Sequence, residues 1–582
     1  MSNPPSATPM IPSQERQNLK DYPNFYQELF NRLCLYWKGS EKKSAWFLLL
    51  GTIFLTLAIV GCQAVITFWY NQFYNSLQRY DVKEFWRLMG WFLIFALTYI
   101  SCAIAKKYFF QLLALKWRQF MTIHYVNLWL SEGLYYFLEF FQEKTDNPDQ
   151  RLADDLNKFT SQTLSIFFLF FEAGITFVTF IGILWTLSGP LKLSFWGVNL
   201  YIPGYLVLAA LLYTILGTWI ARHIVAPLLP LDFKNEMKEG NFRYNLVRIR
   251  ENSESIAFYK GEERERSGLQ SFFQEIYLNT IQIIHRTFFV NLWSHFYGQI
   301  AIIAPYLLVA SRFFKERLPL GFLMQLGQTF KHVDDSLSII IDHYPTIISW
   351  KASTLRILTF EKHLKDLSLR LENTSIERLL EKRNDFLVEG LVLKTPHDNF
   401  ITEISKKEFP KGKSILIQGP SGIGKSTFLR AIAGLWPFGE GRIRQPLEDS
   451  IFFLPQKPYI PLGTLAEAIT YPQENGAFSR ENLEKVLTQV GLEKFIPSLF
   501  QYQNWSGVFS GGEQQRLAFA RLLLKKPDWV FLDEATSALD EKSEKHLYEL
   551  LQETCPKTTF ISVGHRPSLV DFHQDIWNFP HP

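Results

Sequence analysis

Hydrophobic positions are unevenly spread along this chain. They crowd into long uncharged runs before residue 350, and beyond it they shorten to strand-sized pieces between charged stretches. The run at 44–70 contains no charged residue, and a helix needs only about 20 apolar residues to cross a hydrocarbon core. Further runs at 88–105, 159–187, 202–224 and 288–311, with a weaker one at 322–350, bring the expected spanning helices to six. Polar and charged residues precede the first run and no small-residue cleavage site follows it, so it reads as a span and not as a cleaved signal peptide. Just upstream, 26–37 mixes apolar and polar residues at helical spacing, which predicts an amphipathic helix lying in the interface.

Basic residues set the expected orientation. Lys38, Lys42 and Lys43 precede the first run, Lys106, Lys107, Lys116 and Arg118 follow the second, and a basic stretch from Arg222 to Arg266 joins the fourth and fifth. All three fall on the cytoplasmic side if both ends of the chain do. Arg79, Lys83, Arg87, Arg312, Lys315 and Arg317 then lie outside, so loop length is the stronger argument: the two long polar connections, 106–158 and 225–287, read helical and internal, and the external ones are short.

Ionisable groups at bilayer depth must face protein or water. Glu172 in the third run and His332, Asp334, Asp335, Asp342 and His343 in the sixth are such groups. Two readings stay open for them: an amphipathic helix lining a wet cavity, or direct substrate contact or proton coupling.

Composition adds limits. With 47% hydrophobic and 20% charged residues the chain is neither disordered nor collagen-like. Cys34, Cys62, Cys102 and Cys555 lie too far apart for a metal-binding pair and are too few for a secreted scaffold, so they read as free thiols. A net charge of +4 gives no reason to expect nucleic acid as a partner.

After Trp350 charges return in a helical linker that ends near Asp385. Beyond it, apolar runs at 414–417 and 529–532 between helical stretches predict a parallel sheet covered on both faces. Residues 419–426 match G-x-x-x-x-G-K-[ST] directly after such a strand and before a helical run. Gly419, Gly422 and Gly424 allow a loop, completed by Pro420, Ser421, Ile423 and Thr427, whose amides point inward to cradle phosphate. Lys425 reaches the terminal phosphates and the Ser426 hydroxyl can ligate Mg2+. At the end of the second run, Asp533 fits a magnesium-holding role and Glu534 that of polarising the attacking water. Upstream, Ser510-Gly-Gly-Glu-Gln-Gln-Arg516 is a small-residue turn opening a helix, able to present amides and a hydroxyl to a phosphate.

Phosphate loop, SGGE turn, strand ending Asp-Glu, Ser537–Asp540 loop and Val563-Gly-His565, in that order, resemble the nucleotide-binding domain of an ABC transporter over 386–582. The resemblance implies ATP and Mg2+ as ligands. Carried over by position, Gln456 resembles the Q-loop glutamine that senses the γ-phosphate and reaches the metal, and His565 the switch histidine. Ser510, Gly511, Gly512 and Glu513 resemble the signature that binds ATP held by the opposite domain, and Asp540 closes the loop beside it. One departure concerns the base: Thr395 stands where relatives commonly carry an adenine-stacking aromatic, with His397 and Phe400 as weak substitutes.

One phosphate loop and one signature imply a half-transporter completed by a second copy. The expected organisation is a cytoplasmic N-terminal segment with an elbow helix (1–43), an all-α six-helix transmembrane domain of exporter type (44–355), a linker (356–385) and an α/β P-loop ATPase domain (386–582). The sequences Asn147-Pro-Asp-Gln-Arg151 with Asp154 and Asp155, and Asn252 to Glu262, resemble the branch holding peroxisomal fatty-acyl transporters and SbmA/BacA-like permeases. The ending Phe579-Pro-His-Pro582 is no peroxisomal address, which leads to an expected bacterial inner membrane. The expected cargo is large and hydrophilic or amphipathic, such as peptides or cobalamin, with fatty acids or acyl-CoA as the alternative. A proton-coupled permease with a regulatory ATPase domain is the rival from another class, with Glu172 or the sixth-run acids carrying the proton.

Overall fold

The computed structural model describes residues 25–39, 41–141, 148–195, 198–447, 449–474 and 476–580. Residues 1–24, Asn147 and the Asp342 side chain lie outside the described residues. The chain divides into two compact units, Met1–Leu128 with Asp146–Lys362, and Trp129–Thr145 with His363–Pro582. The longer helices before residue 376 are α1 (Phe25–Lys38), α2 (Lys42–Gln78), α3 (Val82–Leu130), α4 (Leu134–Phe141), α5 (Leu156–Ser188), α6 (Tyr205–Val225), α7 (Leu228–Glu251), α8 (Ser253–Tyr259), α9 (Glu262–Glu316), α10 (Leu320–Asp342) and α11 (Tyr344–Glu372).

Among the described residues five stretches are long and apolar enough to cross a membrane, Lys42–Gln78, Val82–Phe140, Pro148–Ser188, Tyr205–Glu251 and Glu262–Glu316. The sixth expected span falls short by composition, because Lys331, His332, Asp334 and Asp335 interrupt α10. It is nonetheless part of the bundle: Phe322, Leu326, Phe330 and Val333 share one buried cluster with Val60, Phe180, Leu184, Leu206 and Ala210. The run at 322–350 is also two helices, since α10 ends at Asp342 and α11 begins at Tyr344. A Cβ on Gly321 would stand 1.9 Å from the Asn71 carbonyl oxygen, so glycine lets α10 start against α2. Asn75 Oδ1 and Gln78 Oε1 accept from the amides of Gly321 and Leu320 at 2.9 and 2.8 Å, which satisfies donors that a helix start leaves open.

Several charges in this unit have partners within it. Glu172 accepts from Lys106 of α3, which runs unbroken to Leu130, so the basic residues expected after the second span continue its helix. Asp334 is buried, and its Oδ1 accepts from Tyr297 and Thr214 at 2.5 and 3.1 Å. His332 stacks on Phe180 with ring centres 4.1 Å apart, and Asp335 stays exposed. The carboxylates of α10 are thus split between a buried one and an exposed one. Asp155, 1% exposed, is held by Arg356 at 2.6 and 3.0 Å and by Arg151 at 2.8 Å. Buried Glu361 accepts from Arg32 of α1 at 2.8 Å and from Tyr125 of α3 at 2.9 Å.

The second unit is built on a five-stranded parallel sheet in the order Asp575–Asn578, Ile415–Gln418, Thr559–Val563, Trp529–Asp533, Ile451–Leu454. Apolar clusters cover both of its faces, as the near-continuous apolar runs predict. A four-stranded sheet, Ile376–Glu381, Gly439–Pro446, Asp385–Lys394 and Phe400–Pro410, joins it. Ile376–Glu381 lies in the stretch expected to be helical linker and instead pairs in parallel with Gly439–Pro446, with only Ile376 buried. The aromatic helix α4 also belongs to this unit, where Phe140 meets Trp436 edge-on at 5.5 Å.

Candidate nucleotide site

Parallel strands end on one edge, and the loops leaving them form the site. Asp533 is in register with Val563, Leu532 with Leu454, and Ile417 with Val563. The residues that follow, Gly419, Gln456, Glu534 and His565, therefore emerge together.

The phosphate loop leaves the buried strand Ile415–Gln418 and ends at the N-terminus of the helix Lys425–Ile432. Gly424 sits at φ +106°, and a Cβ there would come within 2.7 Å of Ile401 Cγ2. Only glycine closes the loop this way, with its rim of Pro420, Ser421 and Gly422 exposed and Ile423 buried beneath. Lys425 is 5% exposed and turns into the loop, its Nζ donating to the carbonyls of Gly419 and Pro420 at 2.8 Å each. Burial pushes this ammonium below its ordinary value, and the carboxylates of Glu534 and Asp533 oppose the shift. Ser426 Oγ donates to Asp533 Oδ1 at 2.8 Å. Burial raises the Asp533 carboxyl, against the Ser426 bond, and the neighbouring Glu534 raises it further.

Glu534 has a left-handed φ of +46°, which its amide bond to the Val563 carbonyl at 3.0 Å supports. The turn aims its carboxylate between two partners. Gln456 Nε2 donates to Oε2 at 3.0 Å, and His565 Nε2 stands 3.6 Å from Oε1. Because the Gln456 nitrogen is used this way, its amide oxygen is left to face another ligand. Six of the expected residues, Gln456, Lys425, Ser426, Asp533, Glu534 and His565, thus form one group.

Ser510, Gly511, Gly512, Glu513 and Asp540 form another. Ser510 caps the helix Gly511–Lys525, and Glu513 accepts from the Ser510 amide and hydroxyl at 2.9 Å each. Lys494 pairs with Glu513 at 2.6 Å. Burial raises the Glu513 carboxyl, but Lys494 and the two Ser510 bonds outweigh it and hold the group below its ordinary value. Glu513 is therefore a capping residue in this chain. Asp540 caps the helix Glu541–Thr554, accepting from the Ser543 amide and hydroxyl at 2.9 Å.

Two residues without an expected role tie the groups together. Gln515, 3% exposed, donates from Nε2 to the Gln456 carbonyl and to Ser537 Oγ, both at 3.2 Å, and accepts from the Ala538 amide at 2.9 Å. Arg566, next to His565, donates to the carbonyls of Leu539 and Ser537 at 2.7 and 3.1 Å. Gln515 lies inside the Ser510–Arg516 stretch and Arg566 directly follows His565, and that adjacency is the signal the sequence offers. At the adenine-stacking position, Thr395 closes a turn by accepting from the Asn399 amide at 3.1 Å, while Phe400 and His397 are exposed. Among the described residues no group of three or more His, Cys, Asp or Glu could hold a metal unaided.

The family described as ABC transporter transmembrane region 2 matches residues 35–314, and the one described as ABC transporter matches 404–537. The chain is similar to an uncharacterized ABC transporter ATP-binding protein of Haemophilus influenzae, 36% identical over 537 residues, 92% of this chain and 89% of the relative. Similarity to the inner membrane ABC transporter ATP-binding protein YddA of Escherichia coli is 30% over 553 residues, covering 94% and 96%. To the lysosomal cobalamin transporter ABCD4 of Homo sapiens it is 29% over 543 residues, covering 86% of each. A bacterial Atm1-family ABC exporter solved with ATP bound has the same fold, with a TM-score of 0.72 at 18% identity over 93% of this chain and 94% of that one. With ATPase geometry in one unit and spanning helices in the other, the chain belongs to the ABC transporters, as a half-transporter of exporter fold whose ATP hydrolysis is coupled to transport.

Proposed function

We propose that two copies form a homodimer with two composite ATP sites, each taking residues 419–427 from one copy and Ser510, Gly511, Gly512 and Asp540 from the other. The observation that carries this reading is the convergence of Gln456 and His565 on Glu534, while the Ser510–Gly511 turn of the same chain is exposed. Among the described residues the Ser510 hydroxyl bonds to Glu513 alone. Glu534 takes the proton of the attacking water, with Gln456 fixing one of its oxygens. Lys425, now spent on two loop carbonyls, turns its charge to the terminal phosphates, and an arriving anion offsets the cost of its burial. His565 faces the γ-phosphate. Ser426 Oγ, Asp533 and the free Gln456 oxygen would hold Mg2+, which supplies charge neutralisation on the phosphates.

Closing such a pair is a population shift. ATP must favour the closed state by about 5.5 kcal/mol to carry the ratio from 1:99 to 99:1. The cargo on this reading is a large hydrophilic or amphipathic compound, a peptide or cobalamin, moved across a bacterial inner membrane with both termini cytoplasmic. Similarity over 86% of both chains to a protein named a cobalamin transporter supports the cargo class, and the inner-membrane name of the bacterial relative supports the place. The test is ATP hydrolysis by the dimer in lipid vesicles, wild type beside Glu534→Gln, with cobalamin, a proline-rich peptide and acyl-CoA. The variant should lose at least about 100-fold in rate, the range for a general base, and cobalamin or peptide should raise the wild-type rate. Stimulation by acyl-CoA alone would replace the cargo. Equal inactivity of both proteins while a proton gradient drives uptake would replace the mechanism.

A further inference from the structure

Between α6 and α9 lies a recess of about 610 Å³, lined by His223, Arg286, Phe289, Leu292, Trp293 and Phe296. Its chemistry is two-sided. His223 and Arg286 stand at the ends of the two apolar runs that face the basic connection, and four apolar side chains continue from them into the run of α9. Phe289, Leu292 and Phe296 are each more than half exposed.

The cationic end is the informative one. Among the described residues Arg286 has neither a carboxylate partner nor a hydrogen bond. An arginine at the edge of a hydrocarbon core is costly unless an anion meets it. Its planar fork suits a phosphate, which it can bind through two parallel bonds. His223 is fixed beside it, with Nδ1 2.8 Å from the Trp219 carbonyl and its ring 4.9 Å from that of Trp219. A carbonyl only accepts, so Nδ1 carries the proton and the ring is held in one orientation. Basic pockets between spanning helices next to the basic membrane surface are where anionic headgroups bind.

We propose that this recess binds an anionic phospholipid of the surrounding bilayer, its phosphate on Arg286 beside His223 and one acyl chain along Phe289, Leu292, Trp293 and Phe296. A soluble phosphate satisfies only the first half of that description, and a zwitterionic lipid carries a cation that Arg286 repels. The lipid is distinct from the cargo, and the inference stands whichever compound is transported.

The test uses the full-length protein in detergent, titrated with phosphatidylglycerol, phosphatidylcholine or glycerol phosphate and followed by its thermal midpoint and by native mass spectrometry. Wild type should hold phosphatidylglycerol at least about tenfold more tightly than phosphatidylcholine, roughly 1.4 kcal/mol. Glycerol phosphate should give no shift. Arg286→Gln should erase the headgroup preference, and Arg286→Lys, which keeps the charge, should retain part of it. Trp293→Ala should weaken both lipids together. Equal affinity of wild type for the two lipids, a preference that survives Arg286→Gln, or a shift reproduced by glycerol phosphate would each overturn the proposal.

Discussion

Gln515 donates its side-chain amide to the backbone oxygen of Gln456 at 3.2 Å, joining the signature helix to the loop that carries the Glu534 partner. The same side chain binds Ser537 and Ala538, so one buried glutamine ties its own helix to two further segments. Gln515→Leu keeps the volume and removes every bond. Each lost bond is worth about 0.5–1.5 kcal/mol, and buried groups left without partners cost more. The expected result is a kcat lowered about tenfold, some 1.4 kcal/mol, with ATP affinity within about twofold of wild type, because Lys425 and the loop amides are untouched. Steady-state hydrolysis with nucleotide binding measured separately checks this. An unchanged kcat would leave Gln515 a packing residue.

Asp155 illustrates a different dependence. It is 1% exposed and shares its two oxygens between Arg356 and Arg151. Removing one partner of a buried pair costs about 3–5 kcal/mol, because the remaining charge stays desolvated. Arg151 remains in Arg356→Ala, so the expected loss is smaller, about 2 kcal/mol. The double variant Asp155→Leu with Arg356→Leu should recover much of it, since the carboxylate, the most deeply buried charge of the group, is then gone. Thermal unfolding of both proteins in one detergent compares them. If the double variant is the less stable of the two, the pair is a net stabiliser and this account is wrong.

A pH dependence follows from His573. Its Nδ1 lies 2.6 Å from the Leu569 carbonyl, which only accepts, so Nδ1 carries the proton and Nε2 accepts from Ser562 Oγ at 2.8 Å. Ser562 in turn accepts from the buried Tyr548 hydroxyl at 3.1 Å. Burial pushes the imidazole below its ordinary value, and the bond to Leu569 opposes this. A base with a lower pKa when folded binds fewer protons in the folded state. Its contribution is present above the unfolded value of about 6.5 and is lost as pH falls from there towards the folded one. The thermal midpoint should therefore drop more steeply below about pH 6.5 in wild type than in His573→Gln. Parallel curves for the two proteins would show that His573 does not titrate on unfolding.

How far the sequence reveals this molecule depends on whether a residue's type already states its geometry. Gly424 and Lys425 do, because the motif spacing already asks for a glycine that tolerates φ +106° and a lysine that can turn back into its loop. Gln515 does not: a glutamine in a helix reads as solvent-facing, and only its burial shows otherwise. The strand Ile376–Glu381 hides for a related reason, since an edge strand with one buried residue has no alternation to find and its charges resemble a helical linker. In α10 the polar residues were visible but their direction was not. Asp334 and Asp335 are neighbours in sequence, yet one is buried against Tyr297 and Thr214 and the other is exposed. Helix α4 is too short to span and too apolar for a polar connection, and its meaning comes from Trp436, which Phe140 touches and whose indole donates to the Lys394 carbonyl at 2.9 Å.

The composite site can be tested without any knowledge of cargo. Lys425→Ala removes the ammonium proposed to meet the phosphates and Ser510→Arg fills the exposed turn proposed to complete the partner's site, so each variant alone should lose hydrolysis. Paired in one dimer, they place both lesions in a single site and leave the other site intact, with Lys425 from one copy and Ser510 from its partner. Random pairing makes half of the dimers mixed, each with one good site of two, so a co-expressed sample should recover about a quarter of wild-type activity. Lesions confined to sites within single chains predict no recovery, because every site then carries one of them. Hydrolysis in the co-expressed sample at the level of either variant alone would therefore remove the two-copy site, while leaving the grouping of Lys425, Ser426, Asp533 and Glu534 within one chain unaffected.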